Sequence, residues 1–86
     1  MGNFHIRDTS IKILDYLILQ AVETGSLEIH FTSEEILKTI YGLDSKKLNL
    51  CLSYLYDSEL LLFKRKDTDN IRHIKITSKA IDLIES

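Results

Sequence analysis

A chain of 86 residues is one domain, near the small end of what folds without staples. Its 44% hydrophobic and 28% charged residues exclude a disordered chain, and no run approaches the roughly 18 apolar residues of a membrane span. The single cysteine excludes an internal disulfide framework and the first residues lack a signal-peptide core, so a cytoplasmic protein is expected.

In chain order, residues 1–8 read as an N-terminal segment and 9–86 as the folded domain. A first helix starts near Asp8 or Thr9 and runs to about Thr24, where Gly25 can take the left-handed conformation that ends it. Ile11, Leu14, Leu17, Ile18, Ala21 and Val22 form its apolar stripe. Ile13, Tyr16 and Leu19 fall off that stripe, as scattered surface residues or as a homodimer interface along the helix. Residues 27–31 alternate as a short strand. Thr32-Ser33-Glu34-Glu35 has the spacing of a capping box, with Phe31 and Ile36 placed as its hydrophobic staple. The helix that follows is expected from Ser33 to about Tyr41, with Ile36, Leu37 and Ile40 inward and Gly42 as its stop.

Asp44 caps a third helix ending near Ser58. Leu48, Cys51, Leu52 and Leu55 recur along it at three- and four-residue spacing and face the core, while Leu43 packs on Leu48. Two short capped helices about three residues apart make a helix-turn-helix. Lys46, Lys47, Asn49, Leu50, Ser53 and Tyr54 are left on its outer sides. Leu60-Leu61-Leu62-Phe63 then passes into Lys64-Arg65-Lys66, Asp67 to Asn70 turn, and residues 71–76 return as a strand. On this hairpin Leu61 and Phe63 share one side with Ile74 and Ile76 opposite them, and Lys64 and Lys66 share the other with Leu62. Thr77 caps a last helix, 78–84, whose Ile81, Leu83 and Ile84 close the core.

Charge is segregated along this plan. Residues 1–45 hold three basic against seven acidic side chains, and residues 62–86 hold six against four. A molecule of net charge −2 can therefore offer a polyanion one favourable face.

Leu52-x-x-Leu55-x-x-x-Glu59-Leu60-Leu61, a basic stretch, a polar turn and Ile74-Lys75-Ile76-Thr77-Ser78-Lys79-Ala80 resemble the winged helix-turn-helix regulators of the MarR and PadR type. The resemblance covers residues 9–86. It implies a mainly α fold with a small β-sheet, in the order helix, strand, helix, helix, strand, wing, strand, helix. It also implies that the helix ending at Ser58 reads the major groove while the wing lies along the backbone or minor groove. Two departures stand out. The family usually has Gly where this chain has Glu59 and Ala80, and a Glu held at positive φ costs on the order of 1 kcal/mol, which predicts a different helix end here. The wing tip carries Asp67 and Asp69, which repel phosphate, so wing contacts are expected from the stem.

The DNA-facing candidates on the helix are Lys46, Lys47, Asn49, Ser53 and Tyr54: Asn can pair with adenine, and Lys with guanine or phosphate. Those on the wing stem are Lys64, Arg65, Lys66, Arg72 and Lys75, which equally suit the charged protection of a sheet edge. His5, His30 and His73 lack metal-ligand spacing, Cys51 reads as a core residue, and no nucleophile, phosphate-loop or dinucleotide motif is present. The expected function is a small duplex-DNA-binding transcriptional regulator, without enzyme activity, cofactor, metal, membrane or evident small-molecule ligand, dimeric through the first helix. The alternative is a winged-helix protein-interaction module in a transcription or replication assembly, suggested by the acidic first half and the apolar Ile13, Tyr16 and Leu19.

Overall fold

The computed structural model describes residues 4–66 and 71–85, with the backbone alone at Arg65 and Lys66. The predicted turn, with the wing-tip acids Asp67 and Asp69, lies outside the described residues. The elements are α1 (Ile6–Thr24), β1 (Glu28–Thr32), α2 (Ser33–Thr39), α3 (Ser45–Asp57), β2 (Leu61–Lys66), β3 (Ile71–Ile76) and α4 (Ser78–Glu85). Mainly helical, with a three-stranded antiparallel sheet ordered β1-β3-β2, this is a winged-helix-like fold. Among the described residues no helix is long and apolar enough to cross a membrane.

α1 begins two residues earlier than expected, and it is rotated. Its buried residues are Ser10, Ile13, Leu14, Leu17, Ile18 and Ala21, so Ile13, expected on the wet side, has no exposure at all, while Val22, expected inside, is 72% exposed. The reason is α3, which crosses α1 on the Ile13 side. There the buried Ser10 hydroxyl donates to the Cys51 carbonyl at 3.4 Å, and the Cys51 thiol points at the Ile6 carbonyl at 3.8 Å. A serine in the middle of the buried stripe had displaced its apparent centre. At the far end Gly25 adopts φ 75 and its amide bonds the Ala21 carbonyl at 2.8 Å, as an αL stop requires.

The capping chemistry agrees with the sequence. Thr32 Oγ1 accepts from the Glu35 amide at 3.2 Å and Glu35 Oε1 accepts from the Thr32 amide at 3.4 Å. Phe31 and Ile36 are both buried in the one core cluster, as a staple demands. α2 stops at Thr39, short of Tyr41, because Ile40 is already extended (φ −102, ψ 112). Asp44 Oδ1 accepts from the Lys47 amide at 2.9 Å to start α3, whose Leu48, Cys51, Leu52 and Leu55 are all buried.

The end of α3 overturns an expectation. The chain keeps the left-handed exit without its glycine: Glu59 stands at φ 64. The Leu60 amide bonds the Leu55 carbonyl and the Glu59 amide bonds the Tyr56 carbonyl, each at 3.0 Å, the paired bonds of a Schellman stop. Thr77 holds this corner from the other side. Its hydroxyl donates to the Glu59 carbonyl at 2.9 Å and accepts from the Ala80 amide at 3.2 Å, so one side chain caps α4 and clamps the strained turn. The Lys79–Glu59 pair at 3.8 Å is exposed on both sides and adds little. Glu59→Gly is therefore expected to raise stability by about 0.5–1 kcal/mol: relief of the backbone strain exceeds the entropy glycine adds to the unfolded chain. A urea midpoint no higher than wild type would contradict this.

In the hairpin Leu61 pairs with Ile76 and Phe63 with Ile74, but Arg65 then pairs with His73 and Lys66 with Arg72, across a bulge at Lys64. A bulge shifts which face the following residues address. The strict alternation expected from Leu62 through Lys64 to Lys66 is thus interrupted at Lys64, and the Lys66 side chain lies outside the described residues. α4 differs in one respect. Ala80 is fully buried, whereas Leu83, expected in the core, is 40% exposed.

Candidate nucleic-acid interface

α3 turns 100° per residue, so Lys47 and Tyr56, nine residues apart, stand on opposite flanks. Their neighbours show which flank is which. The Lys47 ammonium lies 5.3 Å from the ring centre of Phe4, just ahead of α1. Tyr56 meets Phe63 of β2 edge-to-face at 6.2 Å. Lys47 is therefore held on the α1 side and Tyr56 on the sheet side. Tyr54 shares the Lys47 flank and is half-buried against the core. Lys46, Asn49, Leu50 and Ser53 occupy the outward row between the flanks, all exposed, with Asp57 exposed at its C-terminal end.

The ten DNA-facing candidates thus separate. Lys46, Asn49 and Ser53 share the outward row of α3, and the Asn49–Ser53 side of that row borders the Tyr56–Phe63 contact, beyond which the exposed Lys64 stands at the bulge. Lys47 and Tyr54 face away from the hairpin. Lys46 and Lys47, both among the DNA-facing candidates, do not share a row: adjacent helical residues diverge by 100°, and Phe4 offers Lys47 an aromatic face. Lys75 sits on the outer face of the sheet opposite Glu28 on one side and Leu62 on the other, a guarded sheet position. The side chains of Arg65 and Lys66 lie outside the described residues.

Arg72 is half-buried, and its Nε and the Tyr56 hydroxyl are both buried without a hydrogen-bond partner. Burial raises the Tyr56 pKa above its ordinary 10.0; the Arg72 charge, and a polar contact with it that falls short of hydrogen-bond geometry, oppose this and lose. A raised phenol pKa stabilises the fold fully below pH 10, and that contribution is lost as the pH climbs through the folded-state value. Tyr56→Phe is accordingly expected to cost little at pH 7, since no hydrogen bond is removed, and to flatten the loss of stability above pH 10. A large loss at pH 7 in thermal melts would show that the hydroxyl has a partner.

Sequence reasoning found only part of the apolar content of this surface. Leu50 is 51% exposed in the middle of the outward row, and Phe63 is 52% exposed despite lying on the core side of the hairpin. Leu50 was legible as an outward position from the spacing of Leu48, Cys51, Leu52 and Leu55. Phe63 was not, because its exposure depends on how far α3 reaches along the sheet. On α1, Tyr16 is half-buried and packed on the core, and Leu19 is 57% exposed.

The N-terminus of α3 offers phosphate less than its dipole suggests. The Asp44 carboxylate already occupies the Lys47 amide there and brings its own negative charge. Compared with protein-family models, curated proteins and solved structures, the chain matches none.

Proposed function

We propose that this winged-helix-like domain binds duplex DNA and acts as a transcriptional regulator, laying the outward row of α3 into the major groove and the β2 edge along the backbone. The observation that supports it is the exposed series Lys46, Asn49 and Ser53 on the second helix of a capped two-helix corner, beside a hairpin whose near strand carries exposed Lys64. In this reading Asn49 pairs with adenine, Lys46 takes guanine or phosphate, and Ser53 and Lys64 take phosphate. Arg65 and Lys66 continue the basic stem in sequence. Lys47, Tyr54 and Lys75 have no part in it. So few cations make a monomer a weak binder, and two copies meeting along α1 through Tyr16, Leu19 and Val22, without Ile13, would join two half-sites about one helical turn apart.

A mobility-shift assay on random-sequence duplex at low salt tests the reading. Retention at micromolar protein, lost as salt rises, is expected. No retention would instead favour the second reading, a protein-interaction domain, for which the exposed Leu50 and Phe63 on and beside the same surface are the specific support.

A further inference from the structure

The two edges of the sheet are treated differently. β2 is guarded by Lys64, Arg65 and Lys66 in sequence and by a bulge after Phe63, the devices that keep a free edge from pairing with another chain. β1 has no lysine, no proline and no bulge: its register with β3 is unbroken from Glu28–Lys75 to Thr32–Ile71.

Which backbone groups of β1 face outward follows from that register. The Ile76 amide donates to the Leu27 carbonyl at 2.9 Å, so the hydrogen-bonded pairs alternate onward to Ile29–Ile74 and Phe31–Arg72. Glu28, His30 and Thr32 therefore direct their N–H and C=O groups away from β3. The Glu28 amide is taken by Ser26 Oγ at 3.1 Å and the Thr32 amide by Glu35 Oε1 at 3.4 Å. That leaves the Glu28 carbonyl and both backbone groups of His30 aimed at the free edge. Along β1 lies a cleft of about 490 Å³, walled by Gln20 and Thr24 of α1, Glu35 of α2 and β1 itself, with Ile71 of β3 at its Thr32 end.

We propose that this cleft accepts an extended, basic peptide segment of a partner protein, which adds to β1 as a fourth strand. Main-chain bonds to His30 and the Glu28 carbonyl supply the pairing, and the charge selects the occupant. The ionisable groups lining the cleft are Glu28, Glu35 and His30, and exposed Glu23 and Glu34 stand on the flanking helices. Lys75 faces Glu28 from the β3 side and offsets it only in part. Twofold pairing of β1 with a second copy, centred on His30, sets Glu28 of each copy toward the Thr32–Glu35 cap of the other. That gathers four carboxylates on one seam, which disfavours self-pairing relative to a basic occupant. The proposal is independent of the duplex-binding surface, which lies on α3 and β2.

The test is amide hydrogen exchange on the full chain with three synthetic probes: an alternating Thr-Lys octapeptide, its Thr-Glu counterpart, and the Thr-Lys peptide with alternate amides methylated. The Thr-Lys peptide is expected to slow exchange of the His30 amide by about tenfold or more at saturation, and the Thr-Glu and methylated peptides to have no effect. Glu28→Lys should weaken the Thr-Lys peptide several-fold. Failure of the Thr-Lys peptide to bind, equal binding of the acidic or methylated probe, or protection of His30 that grows with protein concentration alone would each overturn the proposal.

Discussion

Ile13→Ala is expected to cost about 2–5 kcal/mol, the range for removing most of a fully buried aliphatic side chain and leaving a cavity. Ile13 has no exposed surface and lies where α3 crosses α1, so the neighbouring side chains are anchored on two helices and cannot all close the gap. A domain of this length holds about 4–13 kcal/mol in total, so the variant should be close to unfolding in mild urea. Leu19→Ala, at a site 57% exposed, should change stability by no more than about 0.5 kcal/mol. The contrast separates the two roles. If Ile13 served a contact between copies, Ile13→Ala would leave the monomer's urea midpoint near wild type and act only on association.

The elements were legible because each boundary carries local chemistry. The Thr32–Glu35 box, the Asp44 cap, Gly25 and Thr77 are short-range devices whose partners lie within five residues, and all four do in the structure what their spacing implied. The errors came from longer range. The face that α1 buries is decided by where α3 crosses it, and Ser10, polar yet buried, disguised the stripe that includes Ile13. The bulge at Lys64 is set by pairing with β3, which sequence alternation does not record. Glu59 erred in the opposite direction: propensity disfavoured the left-handed exit, but the Thr77 clamp and the packing of Leu60 on the core keep it. For the candidate site, the sequence showed which residues of α3 are outward. It did not show that Lys46 and Lys47 part company, since that needs Phe4 and Phe63 located on opposite flanks.

That parting gives the second large expected effect. Among the described side chains, Lys46 and Lys64 are the exposed cations on the outward row of α3 and on the near strand of the hairpin. Reversing both replaces two attractions to phosphate with two repulsions, so Lys46→Glu with Lys64→Glu should lower affinity for duplex DNA by about a hundredfold or more at low salt. Neutral replacements are gentler and more diagnostic. Each phosphate left without its cation makes the negative slope of log affinity against log salt shallower by about 0.9, so Lys46→Ala with Lys64→Ala should reduce its magnitude by about 2. Lys47→Ala should leave the slope unchanged, because that ammonium rests over Phe4 on the far flank.

The decisive measurement is therefore the salt dependence of duplex binding, by fluorescence anisotropy, for wild type, the Lys46→Ala/Lys64→Ala pair and Lys47→Ala side by side. A slope that becomes shallower in the first variant and holds in the second places DNA across α3 and β2. An unchanged slope in the first, or the same flattening in the second, would contradict that placement and take the duplex-binding reading with it.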